Sequence, residues 1–257
     1  MTGLREEDIS AVKAYIAERI SAQHSMDYNL EIVMREAAVR IVEICYAYRR
    51  NPRTFRYEDL PPGARKDIDA VIEWLREIID SYFQTLALAG HEERDKVILP
   101  YIYRARDGMT FQERLSDYLD KYRTELLVLI GAGMTLGIGR KELADSIGRN
   151  IKRPWNNPEL AEEVTPVSYG KGRTNVMYAA IGALTRHGIA EGWQKNWDDA
   201  TKERGCLGWY VMRGSTYPCD LCDDNCGFHS VEDGTGLPVH LSCCCIAVPV
   251  YNSKDMM

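Results

Sequence analysis

Apolar residues recur at three- and four-residue intervals through most of this chain, which predicts a protein built mainly from helices. Behind Asp8, the positions Ile9, Val12, Ile16 and Ile20 form a first stripe. Asp27 has the chemistry of a helix N-cap and precedes a second stripe: Leu30, Val33, Met34, Ala37, Ile41, Ile44 and Tyr48. Asn51-Pro52 and Pro61-Pro62-Gly63 mark a connector. A long helix then turns Ile68, Val71, Ile72, Leu75, Ile78, Ile79, Tyr82, Phe83 and Leu86 inward and ends at Gly90. Thr110-Phe111-Gln112-Glu113 has capping-box spacing and opens a helix running to about Ile130.

The pattern changes twice after that. Gly131, Gly133, Gly137 and Gly139 are expected to break the chain, with a short helix from Arg140 to about Asn150. Leu126 to Gly137 also has the look of a strand and glycine loop from a dinucleotide fold. That motif requires a βαβ unit and an acidic residue about 20 positions on. Here the apolar run continues a helical pattern from Leu115, Leu119 and Tyr122, so a helix-break-helix turn is expected instead. Arg153 to Tyr169 reads as a loop, and Gly170-Lys171-Gly172-Arg173 as its solvated end. Thr174 to about Ala200 is helical again, although Gly182, Gly188 and Gly192 weaken it. Past Cys206 the period shortens. Trp209 to Met212 and Ile246 to Tyr251 are strand candidates, with Pro249 tolerable on an edge. The expected fold class is mainly α with a small α+β C-terminal unit.

Composition narrows the functions. Of 257 residues, 45% are hydrophobic and 27% charged, ordinary values for a globular protein with a real core. The net charge of −6 disfavours a protein that coats nucleic acid, although a local basic face is compatible with it. No stretch has the roughly 18 consecutive apolar residues of a membrane helix. The N-terminus, with Arg5, Glu6 and Glu7, lacks the apolar core of a signal peptide, so folding in a reducing cytosol is expected.

Cysteine placement then changes the picture. Seven of the eight cysteines lie from Cys206 to Cys245, and only Cys45 stands apart, on the apolar face of a predicted helix. In a reducing compartment such a cluster favours metal over disulfides. Cys219-Asp220-Leu221-Cys222 is a C-x-x-C pair. His240-Leu241-Ser242-Cys243-Cys244-Cys245 follows after 17 residues. Two ligands three positions apart let one turn present both to an ion, and a second turn closes a tetrahedral shell. A C-terminal stretch with few large apolar side chains gains most from such a staple. The metal candidates are Cys219, Cys222, His240, Cys243 and Cys245. Cys219 and Cys222 are the firmest, while His240, Cys243 and Cys245 compete for two places. Cys244 points away from Cys243 and Cys245 in an extended segment. Cys226 and His229 are spares, and Cys206 is too far along the chain.

Other readings of the cluster are unliganded thiols, disulfides, or a catalytic thiol such as Cys243 beside His240. Three adjacent cysteines suit nucleophilic catalysis poorly, because they oxidise one another. A catalytic zinc would need an open position and a nearby general base, as in H-x-E sites, and no H-x-E occurs here. No catalytic residue and no organic cofactor is therefore assigned.

From about Gly137 to Tyr251 the order of elements resembles the phage Mu F-like head morphogenesis family. The likeness rests on a glycine turn and short helix, the long helix from Thr174, Gly205, and the aromatic strand Trp209 to Met212. It continues through Arg213-Gly214-Ser215-Thr216-Tyr217-Pro218, the C-x-x-C pair and a glycine-containing loop. It closes on Pro238-Val239-His240-Leu241-Ser242-Cys243-Cys244-Cys245 before Val248-Pro249-Val250. Leu241 stands where the family carries Pro, Cys244 stands where it carries Arg, and the family's Thr-Glu pair has no clear counterpart near Gly182-Ala183-Leu184. The resemblance covers a little under half the chain and divides it into a helical domain, 1–135, and a Mu F-like domain, 136–257, with a zinc-binding β unit at about 205–251.

The resemblance implies a non-enzymatic minor capsid protein of the virion, made in the host bacterial cytoplasm. Its expected partners are the portal or the major capsid protein, with packaged DNA as a further contact, in several copies per virion. It implies one structural Zn2+ per chain. Only Ile246–Met257 follow Cys245, so no appended enzyme domain is expected. Two alternatives come from the residues themselves: a nucleic-acid-binding zinc module on a helical scaffold, and a Cys/His hydrolase or transferase. The excess of Asp220, Asp223, Asp224, Glu232 and Asp233 over Arg213 and Lys254 argues against the first.

Overall fold

An uninterrupted run of inward positions makes the first helix, α1, span Glu6–Ala47. Val12, Tyr15, Arg19, Ala22, Met26, Leu30, Val33, Ala37, Ile41 and Cys45 are all buried at helical spacing. No glycine or proline interrupts that face. Asp27 therefore sits within one helix and does not open a second. The early stripe is also rotated from the expected one, because Ile9 and Ile20 are exposed while Tyr15 and Arg19 face inward. This is a computed structural model, and it describes residues 6–48, 56–149, 152, 177–240 and 243–252. The Asn51-Pro52 connector, the Arg153–Tyr169 loop, Gly170–Arg173, the Thr174 start of the long helix and Lys254 lie outside the described residues.

Helix α2 covers Pro62–Leu88, with Pro62 at its first position, where a missing N–H costs nothing. Ala64, Ile68, Val71, Ile72, Leu75, Ile79, Phe83 and Ala87 are buried. Helix α3, Asp95–Tyr103, had no counterpart in the hydrophobic pattern. It is short and contains Pro100, yet Ile98 and Ile102 are buried from it.

Helix α4 runs Phe111–Thr135 from the expected capping box. The Thr110 hydroxyl accepts the Glu113 N–H at 3.2 Å, and the Thr110 N–H donates to the Glu113 carboxylate at 2.7 Å. The helix passes through Gly131 and Gly133 instead of breaking there, so this stretch forms neither a strand nor a phosphate loop. A Cβ on Gly133 would fall 2.5 Å from a Leu143 methyl, so the glycine serves close packing with α5, Arg140–Arg149. The break comes at Gly137, whose φ of +79° suits glycine. Helix α6 covers Met177–Glu203.

The C-terminal part carries a three-stranded antiparallel sheet of order β2-β1-β3. Strand β1 is Gly208–Met212, β2 is Gly227–Ser230 and β3 is Ile246–Val250. A five-residue helix, α7, spans Asp220–Asp224. The chain is thus mainly α with a small α+β unit, and Pro249 lies on an edge strand as expected. Among the described residues, no helix is long and apolar enough to cross a membrane.

One compact unit comprises Met1–Met26, Phe83–Arg106 and Ala183–Met257, and the other Asp27–Tyr82 and Asp107–Gly182. In the second unit, Tyr122 donates to the Met34 carbonyl at 2.8 Å and Arg123 pairs with Asp69 at 3.1 Å.

Glu125 in that unit caps the start of α6. The Met177 N–H approaches its carboxylate oxygens at 3.3 and 3.4 Å. Burial pushes Glu125 up to about 7, and the Met177 amide offsets only part of this. The folded value lies above the ordinary one of 4.5, so this group favours folding most below pH 4.5 and loses that contribution as pH rises through 7. Glu125→Gln keeps an acceptor for Met177 and removes the buried charge. The variant should gain on the order of 1–2 kcal/mol over the parent at pH 8 and almost nothing at pH 4.5. Denaturant unfolding at the two pH values measures this, and a loss at pH 8 contradicts it.

Candidate metal centre

Helix α6 is the platform for the sheet. Trp197 donates its indole N–H to the Ala247 carbonyl at 3.0 Å, and Trp209 donates to the Thr201 hydroxyl at 2.8 Å. The Leu207 N–H reaches the Val250 carbonyl at 2.7 Å. Asp198 accepts from Thr235 at 2.7 Å and from Gln194 at 2.7 Å, which ties α6 to the loop between β2 and β3. Trp209, Val211 and Ala247 point from the sheet into a core shared with Leu237 and Tyr251. Cys206, Cys222, Cys243 and Cys245 complete this core. Three of the expected ligands are therefore part of the apolar centre of the unit.

Two turns bring the sulfurs together. In the first, the Asp223 N–H bonds back to the Cys219 carbonyl at 3.0 Å, closing a turn with Cys219 and Cys222 on it. In the second, the Cys243 N–H bonds to the His240 carbonyl at 3.0 Å. The ligand atoms of Cys219, Cys222 and His240 lie within 4.8 Å of one another, as do those of Cys222, Cys243 and Cys245. All five sequence-predicted residues are present, and Cys222 belongs to both groups. The second group is buried throughout, while Cys219 and His240 are half-buried.

The spacing fits a bound cation. A tetrahedral ion with sulfur arms of about 2.3 Å sets its sulfurs about 3.8 Å apart. Cys222 Sγ and Cys243 Sγ are 4.0 Å apart, far beyond a disulfide bond and close to that edge. His240 Nε2 is 3.0 Å from Cys222 Sγ. Burial, together with hydrogen bonds to Cys245 and Cys219, pushes the Cys222 thiol up from its ordinary value. Burial also raises Cys245, against which the Gly214 N–H acts by bonding its sulfur. Packed thiols resist ionising beside one another, and a cation in their midst removes that resistance. The Cys/His groups can hold a metal ion.

The remaining cysteines stand apart. Cys206 packs in the core, and Cys226 and Cys244 are exposed. Cys45 is buried in α1, and burial pushes its thiol up to about 12. The spare His229 bonds the Asn225 carbonyl through Nε2 at 2.9 Å.

Two supporting residues escaped the sequence reading. Arg213, read there as a positive charge and as part of the run before the C-x-x-C pair, bonds the Cys219 and Tyr217 carbonyls and pairs with Asp223. It holds the first ligand turn in shape. Gly214 lies so close to the second turn that a Cβ would fall 1.8 Å from the Cys244 carbonyl oxygen. The run Arg213-Gly214 before the C-x-x-C pair was visible, but its contact with residues thirty positions later was not.

Gly214→Ala should push the two turns apart and lower metal affinity by roughly 10–100-fold, while Cys226→Ser should leave it unchanged. Competition with a chromogenic chelator measures both, and parent-like affinity in Gly214→Ala contradicts the geometry.

No protein-family profile matches the chain, no curated protein matches its sequence, and no solved structure matches its fold.

Proposed function

We propose that this chain is a non-enzymatic minor head protein of the Mu F-like kind, whose C-terminal unit is held by one structural zinc ion. The observation that carries the reading is the meeting of the C-x-x-C turn and the H-x-x-C-x-C turn around Cys222, at the end of a long helix and beside an aromatic strand. That order of elements is the one on which the resemblance from Gly137 to Tyr251 rests.

Zinc suits the donor set, because borderline-soft thiolates and imidazole in a four-cornered arrangement favour it over oxygen-loving cations. Cys222, Cys243 and Cys245 form the buried base of the shell, and Cys219 and His240 compete to complete it. Four such donors leave no exchangeable position, which supports a structural role over hydrolysis or group transfer. Arg213 is the only cation between Cys206 and Asn252, and it pairs with Asp223, which weakens the nucleic-acid reading of the unit. The protein acts in head assembly, bound to the portal or the major capsid protein in several copies.

The test has two parts. Purified protein should contain one zinc per chain, with Cys222→Ser abolishing it. Either Cys219→Ser or His240→Ala, but not both, should retain it. Co-expression with portal and major capsid protein should place the chain in assembled heads. Exclusion from the heads with zinc present contradicts the assembly role, and a metal-free chain contradicts the site.

A further inference from the structure

Antiparallel sheets with one face on a core usually turn polar side chains to water on the other. The sheet here is mostly apolar on that side too, with Ser230 opposite Gly208 as the polar exception. Its inner face carries Trp209, Val211 and Ala247 in the core. Cross-strand partners share a face, and the pairs Tyr210↔Phe228, Tyr210↔Val248 and Met212↔Ile246 define the outer one. Tyr210 is 51% exposed, Phe228 56% and Met212 37%, while Ile246 is half-buried and Val248 buried. The exposed part of that face, Tyr210, Met212 and Phe228, comes from β1 and β2, and clustered exposed apolar side chains are the kind of patch that marks an interaction site.

Carboxylates flank β2 in the chain, and one of them, Asp233, accepts from the hydroxyl of Ser230, which shares the outer face, at 2.7 Å. Asp220, Asp223 and Asp224 precede β2 in the chain, and Glu232 and Asp233 follow it; all five are exposed. Arg213, the one cation in this stretch, pairs with Asp223. Phosphate backbones and anionic lipid surfaces meet repulsion here, and a second copy would set like charges against like. A cationic polypeptide meets complementary charge.

We propose that the face formed by Tyr210, Met212 and Phe228 docks a protein segment presenting apolar side chains flanked by lysine or arginine. This stands on the residues of the sheet and does not rest on the head-assembly reading. The apolar side chains cover the aromatic pair, and the basic residues reach the carboxylates at both ends of β2.

The probe is a fluorescein-labelled peptide of alternating lysine and leucine, titrated against the full zinc-loaded chain by anisotropy. The peptide should bind, and more weakly as salt rises. Tyr210→Ser with Phe228→Ser should weaken binding at least about tenfold at unchanged zinc content. Phe228→Lys, a single exposed change, should do the same if the double variant loses zinc. Asp224→Asn with Glu232→Gln should weaken binding several-fold. The proposal is overturned if the peptide does not bind or if neither face variant weakens it. It is overturned equally if a glutamate-leucine peptide or oligothymidylate binds the same face as tightly. Light scattering that shows a dimer broken by Phe228→Lys would assign the face to a second copy and overturn it as well.

Discussion

Burying several cysteine sulfurs against one another is the constraint from which the C-terminal unit takes its form. Cys222, Cys243 and Cys245 occupy the centre of a core that otherwise has one tryptophan, one tyrosine and a few smaller apolar residues. Such a core is too small to offset the entropy of ordering the surrounding loops without help. An ion at the shared corner, Cys222, would give both turns a common anchor and relieve the resistance of the thiols to ionisation. The features around it follow from the need to bring the turns close. Gly214 leaves room for the Cys244 carbonyl, Arg213 gathers the carbonyls of the first turn, and Asn225 donates to the Thr235 carbonyl at 3.0 Å across the intervening loop.

The helical part of the same unit shows why the sheet sits where it does. Helix α6 buries Thr185, Glu191, Gln194, Asn196 and Thr201 alongside its apolar residues. Each polar group with a described partner is used: Thr201 receives Trp209, Gln194 accepts from Tyr15 at 3.3 Å, and Glu191 pairs with Arg106. Burial, then the Arg106 cation, pushes His187 down to about 4, so it stands neutral beside that ion pair at neutral pH. Burial raises Asp198 to about 6, although Thr235 and Gln194 both donate to it. A helix with so mixed a buried face has few alternative ways to dock, which fixes the strand that follows it.

The sequence made local features legible where a single element decides the outcome. The capping box at Thr110, the inward face of α2, the two apolar strands and the five candidate ligands all depend on residues near one another in the chain. What it hid depends on distant partners. Gly131 and Gly133 look like a break until Leu143 is placed against them. Asp27 looks like a cap until Ala22 and Met26 are seen to carry the buried face of α1 through it. Strand β2 has only Phe228 as a large apolar residue, and pairing with β1 makes it a strand. The assignment of separate chain segments to each compact unit likewise follows from long-range packing, which periodicity does not encode.

X-ray absorption at the zinc edge, on the protein as purified, tests the central claim most directly. The account predicts a four-coordinate neighbour shell dominated by sulfur at about 2.3 Å. A shell of oxygen neighbours, or no zinc absorption from a folded chain, would contradict it.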